Sequence, residues 1–213
     1  MKDGGYVNAV HFKVPNSRGV IYYLKGNSRS IKGWGKFSKD FLSNGYDFIM
    51  MDYRGFGKSK GRRSMNTLFS DALHLYDWVE ERYRDTRIVV FGRSMGSGIA
   101  AYLASERNPD MLILDSPYYH FSKNVTRYAW FIPVKWLLRY PIDTRGYLGR
   151  TSSPTHIIHG THDRLIPFSH SEQLKEELPE KIKLHAIKKG KHNDLPSFDR
   201  YFQIIYKLLD IQL

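Results

Sequence analysis

The sequence predicts an α/β fold in which helices cover both faces of a mostly parallel sheet. Short apolar runs typical of buried strands alternate with longer segments whose apolar residues recur at helical spacing. The helical segments between the later strands are long enough to serve as crossovers between parallel strands. Ligands bind such sheets at the carboxyl ends of the strands, so we expect the functional residues there.

The first predicted elements are two strands, a helix and a third strand. Val7–Val14 alternates, Pro15–Gly19 reads as a turn, and Val20–Leu24 follows as a second apolar run, a pattern that indicates an opening hairpin. Trp34–Ser43 carries apolar residues at helical spacing. Asp47–Asp52 is then a continuous apolar strand that ends in an acid.

The remaining elements repeat this alternation. Helices are predicted over Asn66–Tyr83, Met95–Ser105, Ser169–Glu177 and Ser197–Leu209. Strands are predicted over Ile88–Phe91, Met111–Leu114, Thr155–His159 and Ile182–Ile187. The stretch 118–153 is rich in aromatic residues without strand periodicity, which favours a lid-like insertion. We expect one domain over residues 1–213 that includes this insertion.

Composition limits the function. Lysine and arginine number 33 against 21 acids. A net charge of +12 would attract phosphates, anionic lipid headgroups or acidic substrates, but a solvated basic surface is the favoured interpretation. The basic residues are spread along the chain without a nucleic-acid-binding motif, so no nucleic-acid partner is expected. The chain has no cysteine, which excludes disulfides, a thiolate nucleophile and a cysteine metal site.

Membrane and targeting signals are weak. The longest apolar stretch, Ala129–Leu138, is broken by Pro133 and Lys135 and is shorter than the roughly 20 residues that a spanning helix needs. Met1–Gly5 lacks the basic and then apolar pattern of a secretory signal. These two observations predict a cytoplasmic protein.

The most informative motif is a serine between two glycines that joins a strand to a helix of small residues. It reads Gly92-Arg93-Ser94-Met95-Gly96. In such a nucleophile elbow the serine occupies a strained turn, and the glycines let the strand and the helix approach closely. Ser94 is therefore the predicted nucleophile. Serine needs a base that is oriented by an acid, and in elbow folds these follow in the order serine, acid, histidine.

Both partners are found in that order. Asp163 follows the strand Thr155–His159 and is the predicted acid. Asp115 also ends a strand and is the alternative, although Pro117 behind it favours a turn or capping role. His192 lies between the last strand and the last helix, which makes it the predicted base. The other histidines are expected to be packing or surface residues: His11, His74, His120, His156, His159, His162, His170 and His185.

An oxyanion needs backbone N–H donors. One should come from Met95, the residue after the nucleophile, and the second from Asn27, because Gly26 before it permits close approach. An ordinary strand-end turn is the alternative explanation for these two residues. Aromatic residues of the insertion either line an acyl pocket or pack a cover helix onto the core. The candidates are Tyr119, Phe121, Trp130, Phe131 and Trp136.

Three runs resemble those of a known group of enzymes. Asp52–Gly61, His159–Pro167 and Gly190–Asp194 are similar to the corresponding runs of serine aminopeptidase-like, monoglyceride-lipase-like and depalmitoylase-like hydrolases. With the elbow, they identify the chain as resembling the α/β-hydrolase superfamily over nearly its whole length. The first run lacks the Gly-x-x-x-x-Gly-Lys spacing of a phosphate loop, which argues against nucleotide binding.

This resemblance implies an α/β-hydrolase fold with an eight-stranded sheet, of which the sequence pattern supplies seven strands. It also implies a triad of Ser94, Asp163 and His192 that works through an acyl-enzyme, with no metal or organic cofactor. Relatives usually carry His-Gly-Asn at the oxyanion loop. This sequence has Lys25-Gly26-Asn27, a change that leaves the backbone donors available.

The expected function is hydrolysis of a small acyl ester or thioester by a serine hydrolase. An aminopeptidase is the first alternative, but it would need an acidic pocket for the substrate amine, which this basic sequence does not display. A non-catalytic binding protein on the same fold is the second alternative, although every triad position is filled. A basic lid is also compatible with peripheral contact with an anionic membrane.

Overall fold

The computed structural model describes residues 1, 3–120 and 142–210. Its strands are β1 (Ala9–Phe12), β2 (Gly19–Leu24), β3 (Asp47–Met51), β4 (Arg87–Arg93), β5 (Met111–Asp115), β6 (Thr155–Gly160) and β7 (Ile182–Ile187). They form a seven-stranded sheet in the order β1-β3-β2-β4-β5-β6-β7. Only the pairing of β1 with β3 is antiparallel within this sheet, and the other five pairings are parallel.

Helices occupy most of the connections. They are α1 (Ser38–Leu42), α2 (Met65–Arg82), α3 (Met95–Arg107), α4 (Thr144–Arg150), α5 (Ser169–Glu177) and α6 (Asp199–Leu208). From α2 onward, the predicted strands and helices are confirmed with ends that move by at most two residues. The helix predicted over Trp34–Ser43 is confirmed only at its end, because two 3-10 turns precede α1. Gly33 and Gly35 in those turns are poor helix formers.

The predicted opening hairpin is wrong. β1 pairs with β3, with Ala9 opposite Met51, and does not pair with β2. Since β2 has β3 on one edge and β4 on the other, it has no edge free for β1, which adds to the outer edge of β3. All six residues of β2 are buried, as expected for an interior strand of a parallel sheet, whereas β1 is partly exposed.

The two faces of the sheet carry separate apolar layers. Along β2, Val20, Tyr22 and Leu24 enter one layer, which packs against α2 and α3. Ile21 and Tyr23 enter the other, which packs against α1 and α6. This alternation follows from the two-residue period of a strand and confirms that helices cover both faces.

The predicted insertion, 118–153, is described at its two ends. Phe121, Trp130, Phe131 and Trp136 lie outside the described residues. The described ends meet in an antiparallel bridge between His120 and Asp143, and α4 follows. Across residues 1, 3–120 and 142–210, no helix has the length and apolar character to cross a membrane.

Candidate active site

Ser94 lies at the turn between β4 and α3. Its backbone has φ 51° and ψ −117°, a conformation that non-glycine residues rarely adopt and that costs free energy. The Ser94 N–H donates a 2.9 Å hydrogen bond to the carbonyl of Asp115, at the end of the neighbouring strand. The strained turn is thus held against the carboxyl edge of the sheet.

The glycines on either side of Ser94 allow this close packing. A Cβ atom on Gly96 would overlap the carbonyl oxygen of Leu24, and one on Gly92 would overlap the side chain of Ala100. The start of α3 therefore lies directly against the end of β2 and the end of β4. Larger residues at either position would push the helix away from the serine.

The structure brings the three predicted triad residues together. His192, in the loop after β7, has its Nε2 2.9 Å from the Ser94 Oγ. Its Nδ1 lies 2.7 Å from the Asp163 Oδ2, in the loop after β6. If Nδ1 donates its proton to Asp163, Nε2 is left to accept the proton of the serine hydroxyl.

Asp163 is buried but well supplied with donors. Its Oδ1 accepts 2.9 Å hydrogen bonds from the N–H groups of Leu165 and Ile166. Burial alone would raise the pKa of Asp163, but hydrogen bonds from His159 and His192 outweigh it and hold that pKa well below its ordinary range. The carboxylate therefore stays ionised at neutral pH, the state that orients an imidazole.

His159 was expected to be a packing or surface histidine, and the structure places it beside the acid. Its ring is fully buried, with Nε2 3.3 Å from the Asp163 Oδ2. The same nitrogen lies 2.9 Å from the carbonyl of Ile166, and Nδ1 lies 2.6 Å from the Ser171 hydroxyl. Its position at the end of β6, four residues before the acid, was the available sequence signal.

Asp115, the alternative acid, is engaged elsewhere. It is fully buried, its Oδ2 accepts a 2.8 Å hydrogen bond from the Tyr201 hydroxyl, and it lies 3.6 Å from the Arg93 Nε. No described histidine bonds to it, and its side chain caps no described helix. The expected turn or capping role is wrong because the side chain turns into the core to pair with an arginine.

Of the two predicted oxyanion donors, Met95 follows Ser94 directly, and Asn27 follows a glycine that packs against Ser94. Met95 opens α3, so its N–H has no acceptor within the helix. Gly26 packs against the nucleophile, since a Cβ atom there would lie 3.4 Å from the Ser94 Cβ. The N–H of Asn27, the next residue, donates to no other described residue. The assignment of Met95 and Asn27 as oxyanion donors remains a prediction.

Lys25 precedes this loop and is fully buried. Its Nζ donates a 2.9 Å hydrogen bond to the Ser28 carbonyl, and it lies 5.0 Å and 4.9 Å from the ring centres of Tyr53 and Phe56. Burial lowers the pKa of Lys25 to about 8, although Asp52 acts in the opposite direction. The buried lysine side chain therefore bonds across the loop Gly26–Ser28, from the residue before the loop to the carbonyl at its end.

A cavity of about 580 Å³ opens beside the base. Its lining residues come from the acid and histidine loops: His162, Arg164, Leu165, Lys191, His192, Asn193 and Asp194. Tyr119, a predicted pocket residue, does not line it, and its hydroxyl, 2.8 Å from both oxygens of the Glu177 carboxylate on α5, donates to that carboxylate. A larger groove, of about 1080 Å³, lies at the amino-terminal ends of the strands, away from Ser94.

Curated proteins similar to this chain include lipases. The lysophosphatidylserine lipase ABHD12 of Macaca fascicularis is 31% identical over 179 residues, which cover 75% of this chain and 45% of that protein. The same lipase of Xenopus tropicalis is 33% identical over 175 residues, with 73% and 45% covered. The chain thus spans a little under half the length of these relatives.

Solved structures and a family model agree on the fold. The Pyrococcus furiosus esterase Pf2001 superposes with a TM-score of 0.77 at 19% identity, covering 98% of this chain and 92% of the esterase. The α/β-hydrolase enzyme MGS-M2 from a Medee basin deep-sea metagenome library gives 0.76 at 14% identity, with 98% and 96% covered. Residues 15–145 match the family model described as serine aminopeptidase, S33. The chain therefore has the α/β-hydrolase fold and belongs to the serine aminopeptidase S33 family.

Proposed function

We propose that this protein is a serine hydrolase that cleaves carboxylic ester or thioester bonds, with Ser94 as nucleophile, His192 as base and Asp163 as orienting acid. One observation carries the proposal. A continuous line of hydrogen bonds, 2.7 Å and 2.9 Å long, runs from the Asp163 carboxylate through the imidazole to the hydroxyl of a strained serine. This is the arrangement that activates serine for acyl transfer.

The reaction follows from these contacts. His192 Nε2 takes the hydroxyl proton as the Ser94 Oγ attacks the acyl carbon, and the N–H groups of Met95 and Asn27 stabilise the developing oxyanion. His192 then protonates the leaving alcohol or thiol, which departs to leave an acyl-enzyme. A water molecule, deprotonated by the same imidazole, releases the acid and regenerates the serine. Asp163 stays ionised throughout and stabilises the imidazolium.

Two features favour an acyl ester over a peptide with a free amino terminus. The cavity beside His192 carries two cations, Arg164 and Lys191, against one carboxylate, Asp194, and this excess of positive charge would repel a protonated substrate amine. Similar proteins are named as lipases and esterases, which supports small acyl esters, single-chain lipid esters among them. The net charge of +12 supports, within the same proposal, peripheral contact with an anionic membrane.

The test is labelling with a fluorophosphonate probe, which bonds covalently to an activated serine. We expect the native protein to be labelled, Ser94→Ala to be unlabelled and His192→Ala to be labelled much more slowly. Ser70→Ala, which removes an exposed hydroxyl on α2, is the matched control and should label like the native protein. Absence of labelling in folded native protein would refute the activated serine and favour a binding role.

Native protein that has not been exposed to the probe is then assayed with p-nitrophenyl esters of increasing acyl length, matched thioesters and aminoacyl p-nitroanilides. Turnover of esters or thioesters with little turnover of the anilides supports the proposed reaction. Preference for the anilides would replace it with a peptidase.

A further inference from the structure

We infer that Arg93, the residue immediately before the nucleophile, is a positioning residue that fixes the proposed base by holding the backbone of His192. The inference rests on the proposed function, because it concerns the orientation of His192 toward Ser94. It assigns a role to a buried cation that the proposed chemistry does not itself use.

Arg93 reaches the histidine loop from the end of β4. Its Nη2 donates a 3.0 Å hydrogen bond to the carbonyl oxygen of His192, and its Nε lies 3.6 Å from the Asp115 Oδ2. The guanidinium lies 5.6 Å and 5.4 Å from the ring centres of Trp34 and Phe37. A carboxylate, a carbonyl and two rings therefore leave the group little freedom to move.

The charge is retained despite its burial. Burial alone would lower the pKa of Arg93, but the Asp115 carboxylate outweighs it and raises that pKa above its usual value. Both side chains are almost entirely buried, and a buried ion pair is often no more stable than apolar residues of the same volume. Stability alone is thus a weak reason for an arginine here.

A second buried arginine–carboxylate pair, Arg54 with Asp71, differs from the pair of Arg93 with Asp115 in its hydrogen bonds. Arg54 binds Asp71 through two short hydrogen bonds, 2.6 Å and 2.7 Å long, from Nε and Nη2 to the two carboxylate oxygens, and its Nη1 donates to a second carboxylate, Asp3. Arg93 instead approaches Asp115 through Nε at longer range and directs Nη2 to the histidine carbonyl. The Asp115 Oδ1 has no hydrogen-bond partner among the described residues. The guanidinium of Arg93 is therefore shared between the Asp115 carboxylate and the backbone carbonyl of His192.

The histidine loop has few other attachments near the base. The Gly190 carbonyl accepts a 2.9 Å hydrogen bond from the N–H of His162, and the Asp194 carboxylate accepts one from the N–H of Lys191. At His192 itself, Arg93 is the donor to the carbonyl among the described residues. Because Arg93 adjoins Ser94 in the chain, one strand end sets the positions of both nucleophile and base.

The expected effect is on turnover. In Arg93→Lys, one ammonium cannot reach both Asp115 and the His192 carbonyl with the geometry of a guanidinium, so the imidazole is less well placed. Because a displacement of about 1 Å can cost about 100-fold in rate, we expect kcat and the labelling rate to fall by about 10- to 100-fold. KM should change little, since Arg93 is buried and does not line the cavity beside His192.

The matched control is Arg54→Lys. It weakens a buried arginine–carboxylate pair of the same kind that has no contact with the triad, so it should lower the melting temperature and leave kcat near the native value. Loss of kcat in both variants in proportion to lost stability would overturn the inference, as would an Arg93→Lys enzyme with kcat within about twofold of native.

Two further measurements keep the test decisive. If Arg93→Lys fails to fold, the double variant Arg93→Met/Asp115→Asn removes both charges at similar volume and carries the same expectation for kcat. The low-field proton resonance of the His192–Asp163 hydrogen bond, assigned by its loss in His192→Ala, should shift or broaden in the Arg93 variants and not in Arg54→Lys. An unchanged resonance refutes the positioning role even if native protein proves inactive, whereas unlabelled native protein refutes the proposed function.

Discussion

Replacement of Lys25 by methionine should change how stability depends on pH. The pKa of the buried ammonium is lowered from 10.5 to about 8. One pKa unit corresponds to about 1.4 kcal/mol, so keeping this group charged in the folded protein costs about 3 kcal/mol at neutral pH. Between pH 8 and 10.5 the unfolded chain keeps the proton that the folded chain releases, and the free energy of unfolding rises with pH through this group.

Lys25→Met removes that contribution. At pH 7 the two proteins should be close in stability, because the relieved desolvation roughly offsets the lost hydrogen bond to Ser28, worth about 1.5 to 3 kcal/mol. By pH 10 the native protein should gain about 2 to 3 kcal/mol over the variant. Buried tyrosines with raised pKa values, Tyr22 and Tyr23 among them, titrate in both proteins and cancel in the difference.

Urea unfolding at intervals from pH 7 to pH 10 measures this difference. Lys13→Met, at an exposed lysine beyond β1, is the matched control and should follow the native curve. A native-minus-variant difference that stays constant across this range would refute the assignment of a buried, charged lysine beneath the oxyanion loop.

Three other predictions concern the elbow and the acid. Gly96→Ala should lower both the melting temperature and the labelling of Ser94, because its methyl group would overlap the Leu24 carbonyl; native labelling would contradict that contact. Asp163→Asn should reduce kcat by about 10⁴-fold at pH 7 with the fold retained, since the amide favours the wrong tautomer of His192; circular dichroism and ester turnover measure this. His159→Leu should reduce kcat by about 10-fold through loss of a buried partner of the acid, comparable to the loss of an outer hydrogen bond; unchanged turnover would show that the remaining donors suffice.

The sequence was most informative where function constrains chain order. The elbow predicted Ser94, and the rule that acid and then histidine follow later strands was enough to select Asp163 and His192. These residues are now adjacent in space, although 69 and 98 residues separate the serine from them along the chain. Local patterns also located most strands, because buried strands are short apolar runs bounded by turn residues.

Contacts between segments that are distant in the chain could not be predicted from local sequence patterns. The pairing of β1 with β3 depends on which strand edges the rest of the sheet leaves open, and local alternation carries no such information. The contact of Arg93 with the His192 carbonyl joins the end of β4 to the loop after β7. Asp115 was misjudged, and the contact of the buried His159 with the acid was not foreseen, for the same reason, since a short-range pattern cannot show which partner a buried polar side chain will meet.

The bridge between His120 and Asp143 has a consequence for how the fold can diversify. The insertion leaves after β5 and returns before β6, which are neighbours in the sheet, so its entry and exit lie side by side. Lengthening a segment whose ends already meet adds only a slowly growing entropic cost, about 0.6 kcal/mol for each doubling of length. Replacing the segment between these two positions would therefore leave the register of the sheet intact. At this junction the substrate preference of the protein could change while the hydrolytic centre stays the same.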